Sequence, residues 1–189
     1  MTHLSDIYVK VIIKMFKIGL DVGSTTAKIV VIDENDKIIF SRYRRHNTQM
    51  MDVVLSYLNE LESIIGNEKV SLNVSGSVGM GLAELYDFPF IQEVVAASKK
   101  IQRHYPIAQT MIDIGGEDAK IVFFKNGNAD ELRMNGNCAG GTGAFIDQMA
   151  ILLGISTEEL NDLALKSNQI YPIASRCGVF CKTDIQNLI

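Results

Sequence analysis

Short apolar runs separated by glycine-rich or polar turns predict several strands in the first part of the chain. Phe16–Val22 and Ala27–Ile32 flank a Gly-Ser-Thr-Thr turn, and Lys37–Tyr43 alternates as a third strand. Over Thr48–Ile65 the apolar residues recur at helical spacing, and Gly66 supplies a helix end. The pattern therefore predicts three consecutive strands followed by a long helix.

The same two element types continue along the chain. A strand at Val70–Val74 leads into the glycine-rich Ser75–Gly81, and a helix at Gln92–His104 precedes a strand at Thr110–Ile114. Strands mixed with helices in this order indicate an α/β fold. Three further helices are expected: an amphipathic run closed at Gly154, a helix with a capping signal at Ser156–Glu159, and a last helix at Thr183–Ile189.

One ten-residue sequence occurs twice. Asp21–Val30 (DVGSTTAKIV) recurs 92 residues later as Asp113–Val122 (DIGGEDAKIV), with six of ten positions identical. Each copy continues as strand, turn and strand, and the second turn carries the hairpin signal Asn126-Gly127. The repeat predicts two units of βββαβα order that face one another across a ligand cleft.

The repeat also predicts the domain organisation. We expect an N-terminal extension at residues 1–15, a first unit at 16–107 and a second unit at 108–189. Fewer residues follow the start of the second copy than make up the first unit. Part of them is a cysteine-containing segment without counterpart in the first unit. The chain is therefore expected to be part of a longer protein.

Composition narrows the possible functions. The formal net charge is −4, from 18 basic and 22 acidic residues. The chain therefore lacks the excess of positive charge that is typical of nucleic-acid-binding proteins. No apolar run approaches the ~20 residues of a membrane span. The apolar patch Ile7–Ile13 is interrupted by Lys10 and lacks a small-residue cleavage site, so a cytoplasmic location is expected.

The two glycine turns have the chemistry of a phosphate clamp. Gly23 lets the backbone approach a phosphate closely, residues 24–26 offer hydroxyl and amide donors, and Lys28 adds positive charge. Asp21 and Asp113, each at the end of a strand, suit Mg²⁺ held through water. The alternative for either turn alone is a tight hairpin with a capping aspartate. A matched pair favours the phosphate clamp, and two carboxylates around a metal–triphosphate suit phosphoryl transfer.

Both turns resemble the phosphate motifs of the acetate kinase/hexokinase/Hsp70/actin superfamily. The longer motifs resemble the BadF/BadG/BcrA/BcrD ATPase family, and within it the activators of 2-hydroxyacyl-CoA dehydratases, in particular the N-terminal part of the long, multidomain activators. The similarity runs from about Lys17 to Ile189. It is carried by IGLDVGSTTAK at Ile18–Lys28, IDIGGEDAK at Ile112–Lys120, NGNCAGGTGAF at Asn135–Phe145, and the segments Ser75–Leu82 and Ser175–Ile185.

This resemblance implies an actin-like ATPase (ribonuclease H-like) fold that binds ATP and Mg²⁺, with the second of its two subdomains incomplete here. Asp21, Asp113 and Glu117 are the implied catalytic residues, and the two aspartates are the implied Mg²⁺ ligands. Glu117 stands where small activators carry glutamine. A glutamine there is placed to orient a water or to contact nucleotide, whereas a glutamate can instead accept a proton or reach the metal. The implied nucleotide-binding residues are Gly23, Ser24, Thr25, Thr26, Ala27, Lys28, Gly115, Gly116 and Glu117.

Three cysteines, at 138, 177 and 181, are too few for a disulfide scaffold. Cys138 precedes a glycine-rich turn and an amphipathic run, which places its sulfur near a helix N-terminus, where a thiolate is stabilised. A four-thiolate iron–sulfur site needs more ligands than one chain offers. The resemblance implies one [4Fe-4S] cluster shared by a homodimer, with Cys138 and Cys177 from each chain and Cys181 as packing. The alternative is two buried structural cysteines.

The function implied by the resemblance is an ATP-driven activator that passes an electron from a ferredoxin or flavodoxin to an iron–sulfur 2-hydroxyacyl-CoA dehydratase. Three alternatives stay open on the residues alone. They are the ATPase subunit of a benzoyl-CoA-type reductase, an N-acetylhexosamine-type kinase of the actin-like superfamily, and a nucleotide-binding regulatory module without catalysis. The histidines at 3, 46 and 104 are expected at the surface.

Overall fold

A computed structural model describes residues 15–135 and 138–189. Most of the predicted extension and two residues of the Asn135–Phe145 motif lie outside these ranges. The chain divides into two units, the first ending at Glu93 and the second beginning at Val94. The strands are β1 (Met15–Val22), β2 (Thr26–Ile32), β3 (Ile38–Arg45), β4 (Lys69–Ser75), β5 (Thr110–Ile114), β6 (Ala119–Lys125) and β7 (Asn128–Met134). The α-helices are α1 (Met50–Ile65), α2 (Gly79–Tyr86), α3 (Glu93–His104), α4 (Gly143–Leu153), α5 (Thr157–Lys166) and α6 (Gly178–Gln186).

The first unit is a four-stranded sheet covered by α1 and α2. Its strand order is β3-β2-β1-β4, with β1 antiparallel to β2 and parallel to β4. Alternate β1 residues, Ile18, Leu20 and Val22, are buried, and α1 contributes Val54 and Leu61 to the same core. Every second residue of β1 is buried on the face of the sheet that α1 covers, and the apolar residues of α1 recur at helical spacing on the helix face that meets the sheet. The apolar pattern of the sequence therefore accounts for the packing of α1 on the sheet. The order of elements confirms the predicted βββαβα unit.

Tyr57 fastens α1 to the sheet. Its ring is fully buried, and its hydroxyl donates to the carbonyl of Ala27 over 3.0 Å. Burial raises the pKa of the Tyr57 phenol, although the nearby Arg44 guanidinium acts in the opposite direction. The hydroxyl therefore stays protonated and remains a donor at neutral pH.

Replacing this hydroxyl is expected to cost stability. Tyr57→Phe removes the donor to the Ala27 carbonyl while keeping the ring, so the loss should be about 1–2 kcal/mol. Urea unfolding followed by circular dichroism measures it. Tyr43→Phe is the control, because Tyr43 is 64% exposed and its change should stay within ~0.5 kcal/mol. Equal effects of the two substitutions would contradict the assigned role.

The second unit contains a three-stranded antiparallel sheet in the order β5-β6-β7. Asn126 and Gly127 both have positive φ, at 52° and 76°, as the Asn-Gly hairpin signal predicts. Asp113 is the register partner of Lys120 on β6, as Asp21 is of Lys28 on β2. The two copies of the repeat therefore share strand register as well as sequence.

The helices after β7 match the prediction in part. The capping box at Ser156 and Glu159 is present at the start of α5, and Gly154 ends α4 in the left-handed region. The last helix begins at Gly178 rather than Thr183, because Cys177 is its N-cap, and it ends at Gln186. Helix α2 was not predicted from the glycine-rich segment that begins it. Among the described residues, no helix combines the length and apolarity needed to cross a membrane.

Candidate functional site

The first glycine turn joins β1 to β2 and is closed by its own backbone. The Gly23 amide donates to the Thr26 carbonyl over 3.0 Å. Within the part of the chain that the structure describes, the amides of Ser24 and Thr25 have no acceptor. Backbone N–H groups need partners, and turn amides without an acceptor in the protein can donate to a phosphate. The turn therefore has the donors expected of an anion-binding loop.

The other predicted residues of this turn either form an ion pair or attach the turn to the sheet. Lys28 Nζ donates to Asp21 Oδ2 over 2.8 Å, so the cation and the carboxylate form a half-exposed pair. Thr26 and Ala27 are buried at the start of β2, and the Ala27 carbonyl accepts from Tyr57. The structure thus places residues 21–28 together around one turn.

Two polar atoms at the end of this sheet lack hydrogen-bond partners. Asp21 Oδ1 and Ser75 Oγ are both buried with no partner among the described residues, and the two residues are paired in the parallel β1–β4 register. Buried oxygens of this kind call for a ligand, a water or an ion. A carboxylate and a hydroxyl side by side fit the oxygen-rich surroundings of hydrated Mg²⁺.

Ser75 was missed as a site residue by sequence reasoning. Its position at the end of a strand, directly before a glycine, was the available signal. The neighbouring Gly76 allows the Asp21 carboxylate to lie close to the backbone after β4, because a Cβ on Gly76 would lie 2.6 Å from Asp21 Oδ1. Gly76 has a φ of +90°. The missing Cβ leaves the space that the Asp21 side chain occupies.

His46 was predicted at the surface, and this prediction is wrong. Its side chain is buried, at 6% exposure, because β3 ends beside the first glycine turn and directs it inward. The imidazole Nε2 lies 3.0 Å from the Gly23 carbonyl oxygen. The histidine at 104, in contrast, is exposed on α3 as expected, and the histidine at 3 lies outside the described residues.

The second glycine turn is attached to a helix N-terminus. The Gly115 amide donates to the Asp118 carbonyl over 2.8 Å, which closes the turn. The Gly115 and Gly116 carbonyls accept from the first amides of α4, at 2.8 and 3.2 Å. Lys120 is buried and pairs with Asp118 at 3.0 Å. Two of the orphan amides of α4 are thereby satisfied by the turn.

The predicted acidic residues of this turn differ in exposure. Asp113 is half-buried at the end of β5, and Glu117 is exposed at the tip of the turn. Glu117 is therefore accessible to a ligand, and Asp113 occupies the position that corresponds to Asp21 in the first unit. Their predicted roles concern a bound nucleotide and stay predictions.

Cys138 and Cys177 each cap the beginning of a helix. Cys138 is exposed, and its Sγ accepts from the Gly140 amide over 3.3 Å at the start of a 3-10 turn, Ala139–Gly141. Cys177 is half-buried at the N-cap of α6. A Cβ on Gly140 would lie 2.9 Å from the Gly178 amide nitrogen, so the two cysteine-bearing helix starts touch through glycines.

Cys181 lies one turn into α6, where its amide donates to the Cys177 carbonyl over 2.9 Å. It is therefore not at the helix start that Cys177 occupies. Over the described ranges, no three His, Cys, Asp or Glu side chains cluster as a metal site. Two thiols at adjoining helix starts offer half of a four-thiolate set.

Comparison with known proteins agrees with this geometry. The model of the BadF/BadG/BcrA/BcrD ATPase family matches residues 18–188. The chain belongs to this family. An activator of 2-hydroxyisocaproyl-CoA dehydratase from Clostridium difficile, solved with bound ADPNP, superimposes with a TM-score of 0.78 at 29% identity, covering 92% of this chain and 65% of that one. The family member described here therefore has the actin-like ATPase fold that the sequence predicted.

Two curated relatives carry related names. The (R)-2-hydroxyglutaryl-CoA dehydratase activating ATPase of Acidaminococcus fermentans is 28% identical over 90% of this chain. The activator of lactoyl-CoA dehydratase of Anaerotignum propionicum is 30% identical over 90% of it. The family member spans 66% of the length of each of these relatives.

Proposed function

We propose that this chain forms the ATP-binding and cluster-binding part of an ATP-hydrolysing activator that transfers an electron to a 2-hydroxyacyl-CoA dehydratase. The observation that carries the nucleotide role is the buried Asp21 Oδ1, which has no hydrogen-bond partner among the described residues. Its strand leads into a turn whose Ser24 and Thr25 amides have no acceptor there either. Membership of an ATPase family and the ADPNP held by a relative support it. The names of the relatives support the dehydratase as partner.

In this proposal the first glycine turn binds phosphate groups. The amides and hydroxyls of Ser24 and Thr25 donate to phosphate oxygens, and Gly23 permits the close approach. Asp21 would hold Mg²⁺, with Ser75 as its partner in the β1–β4 register, while Lys28 balances the charge of the carboxylate. Thr26 and Ala27 fix the turn to the sheet. Mg²⁺ supplies neutralisation of the charge that develops on the phosphates.

The second glycine turn has the same proposed role as the first, the binding of phosphate and Mg²⁺. Gly115 and Gly116 offer a backbone without Cβ obstruction, held by the start of α4, and Asp113 is a second carboxylate for Mg²⁺. Glu117 is exposed and carries a carboxylate in place of the amide of small activators. It orients the attacking water or accepts its proton.

Cys138 and Cys177 are proposed as ligands of a [4Fe-4S] cluster completed by the same pair from a second chain. The cluster would supply one-electron redox chemistry, with a ferredoxin or flavodoxin as donor. The start of α6 places partial positive charge next to Cys177, and the Gly140 amide donates to Cys138 Sγ. Both features stabilise an anionic metal site. Exposure of Cys138 and half-exposure of Cys177 leave both sulfurs within reach of a second chain.

Asp21→Asn tests the nucleotide site. The substitution keeps the shape of the side chain and removes its charge, so Mg²⁺-dependent binding of a non-hydrolysable ATP analogue should weaken by about tenfold or more. Titration calorimetry with and without Mg²⁺ measures the change. Binding in the absence of Mg²⁺ should change less, because the turn amides remain.

Asp36→Asn is a matched control in the same unit. Asp36 pairs with Lys17 at 3.0 Å, as Asp21 does with Lys28, but lies in the exposed turn before β3, in a left-handed conformation that asparagine tolerates. It should leave nucleotide binding unchanged. Equal affinity of the Asp21 variant and the unaltered protein would refute the Mg²⁺ role of Asp21. Phosphorylation of a sugar by a colourless protein would favour the kinase alternative.

A further inference from the structure

We propose that His46 is a positioning residue for the first glycine turn, holding it with the Ser24 amide directed at the ligand. The role rests on the proposed nucleotide function of that turn. It is a separate claim, because His46 belongs to neither copy of the repeat and lies 23 residues beyond Gly23.

The two ring nitrogens and the backbone amide of His46 each make a hydrogen bond near the first glycine turn. Its ring Nε2 lies 3.0 Å from the Gly23 carbonyl, and its own amide donates to the Thr25 carbonyl over 3.2 Å. The Thr48 amide donates to the ring Nδ1 over 3.3 Å. An Nδ1 that accepts a hydrogen bond carries no proton, so the neutral ring has its proton on Nε2 and donates it to Gly23. Both ring nitrogens are thereby used.

The contact of the imidazole with the Gly23 carbonyl also fixes the orientation of the Ser24 amide. Gly23 C=O and Ser24 N–H belong to the same planar trans peptide, so they point in opposite directions. With the carbonyl held by the imidazole, the Ser24 amide must face away from His46. The Ser24 amide has no acceptor among the described residues. The imidazole therefore sets the direction of a donor that is available to a phosphate.

The backbone after His46 is strained in a way that supports a specific role. Asn47 and Thr48 both have positive φ, at 46° and 69°, and the Gln49 amide donates to the His46 carbonyl over 2.7 Å. The left-handed region is unfavourable for residues other than glycine, less so for asparagine and most clearly for the β-branched Thr48. Such a conformation persists only where the surroundings enforce it. In this chain the left-handed backbone at residues 47 and 48 brings the Thr48 amide to Nδ1 and so holds the ring in contact with the Gly23 carbonyl.

Three substitutions separate the two functions of the ring. His46→Gln places an amide NH₂ near the position of Nε2 and keeps a donor for Gly23, whereas His46→Asn places an oxygen near Nδ1 and keeps only the acceptor for Thr48. His46→Ala removes both. The Asn and Ala variants should lose about tenfold in affinity for Mg²⁺ and a non-hydrolysable ATP analogue, and the Gln variant should stay within about threefold. Thermal unfolding of each variant is measured in parallel.

His104→Ala on the exposed face of α3 is the control and should bind as the unaltered protein does. Rescue by Asn rather than Gln would overturn the inference, since the role would then lie in the Thr48 contact alone. Unchanged affinity in all three variants would also overturn it.

A readout without nucleotide separates this inference from the proposed function. Hydrogen exchange of the Ser24 and Thr25 amides should accelerate in the Ala and Asn variants and stay close to the unaltered rate in the Gln variant. If the unaltered protein bound no nucleotide, the proposed function would fail, while this exchange pattern would still support the contact. Equal exchange in all variants would overturn the positioning role whether or not nucleotide binds.

Discussion

Gly76→Ala is expected to destabilise the first unit by about 2–5 kcal/mol, the sum of a backbone cost and a steric cost. Gly76 has φ +90°, a conformation that alanine rarely adopts. The added Cβ would lie 2.3 Å from the Val22 carbonyl oxygen and 2.6 Å from Asp21 Oδ1. The first of these atoms is backbone of a central strand, so it cannot move without disturbing β1. The second would be pushed out of its buried position.

Two other glycines make this experiment specific. Gly81, inside α2, has ordinary helical geometry, and a Cβ added there would meet no atom within 4 Å, so Gly81→Ala should be neutral or stabilising by up to ~1 kcal/mol. Gly66 has φ +60° with nothing within 4 Å, so Gly66→Ala measures the backbone cost alone. Urea unfolding should rank the losses as Gly76 above Gly66 above Gly81. A loss at Gly76 no larger than at Gly66 would contradict the close approach to β1.

The strands and the hairpin could be predicted because their signals are local. Alternating apolar residues, the Asn126-Gly127 turn and the capping box at Ser156 each act within a few residues. The shared register of the two glycine turns followed from the repeat in the same way. Apart from the comparison of the two copies, these features needed no knowledge of distant parts of the chain.

The site residues that were missed depend on long-range pairing. Ser75 becomes a neighbour of Asp21 only because β4 pairs parallel with β1, which no local pattern specifies. His46 is buried only because β3 runs antiparallel to β2 and ends beside the turn. A histidine among polar neighbours is typical of a surface, and tertiary structure reversed that expectation. The start of α6 was missed because the cap at Cys177 acts through backbone geometry rather than a side-chain hydrogen bond.

Cys138→Ala and Cys177→Ala are each expected to abolish iron binding completely. Under the proposed function one cluster is held by four thiolates from two chains, so a single substitution removes two of the four ligands at once. The remaining pair cannot retain the cluster. Protein purified anaerobically should contain roughly two iron and two sulfide per chain before substitution and none after it.

Cys181→Ala is the matched control on the same helix. Cys181 is one turn inside α6, away from the helix start where the positive end of the dipole favours a thiolate. Its removal should leave iron, sulfide and the brown colour of the protein unchanged. Iron lost equally in all three variants would indicate a different ligand set on α6.

The same three variants distinguish a shared cluster from two structural cysteines. If Cys138 and Cys177 only pack, their substitution should change stability without any change in metal, and the unaltered protein should be colourless. If they bind the cluster together with a second chain, loss of iron and loss of the dimer should occur together in gel filtration, because the shared cluster links the two chains. Iron retained in the Cys138 variant would refute the electron-transfer role, while nucleotide binding at Asp21 could persist unchanged.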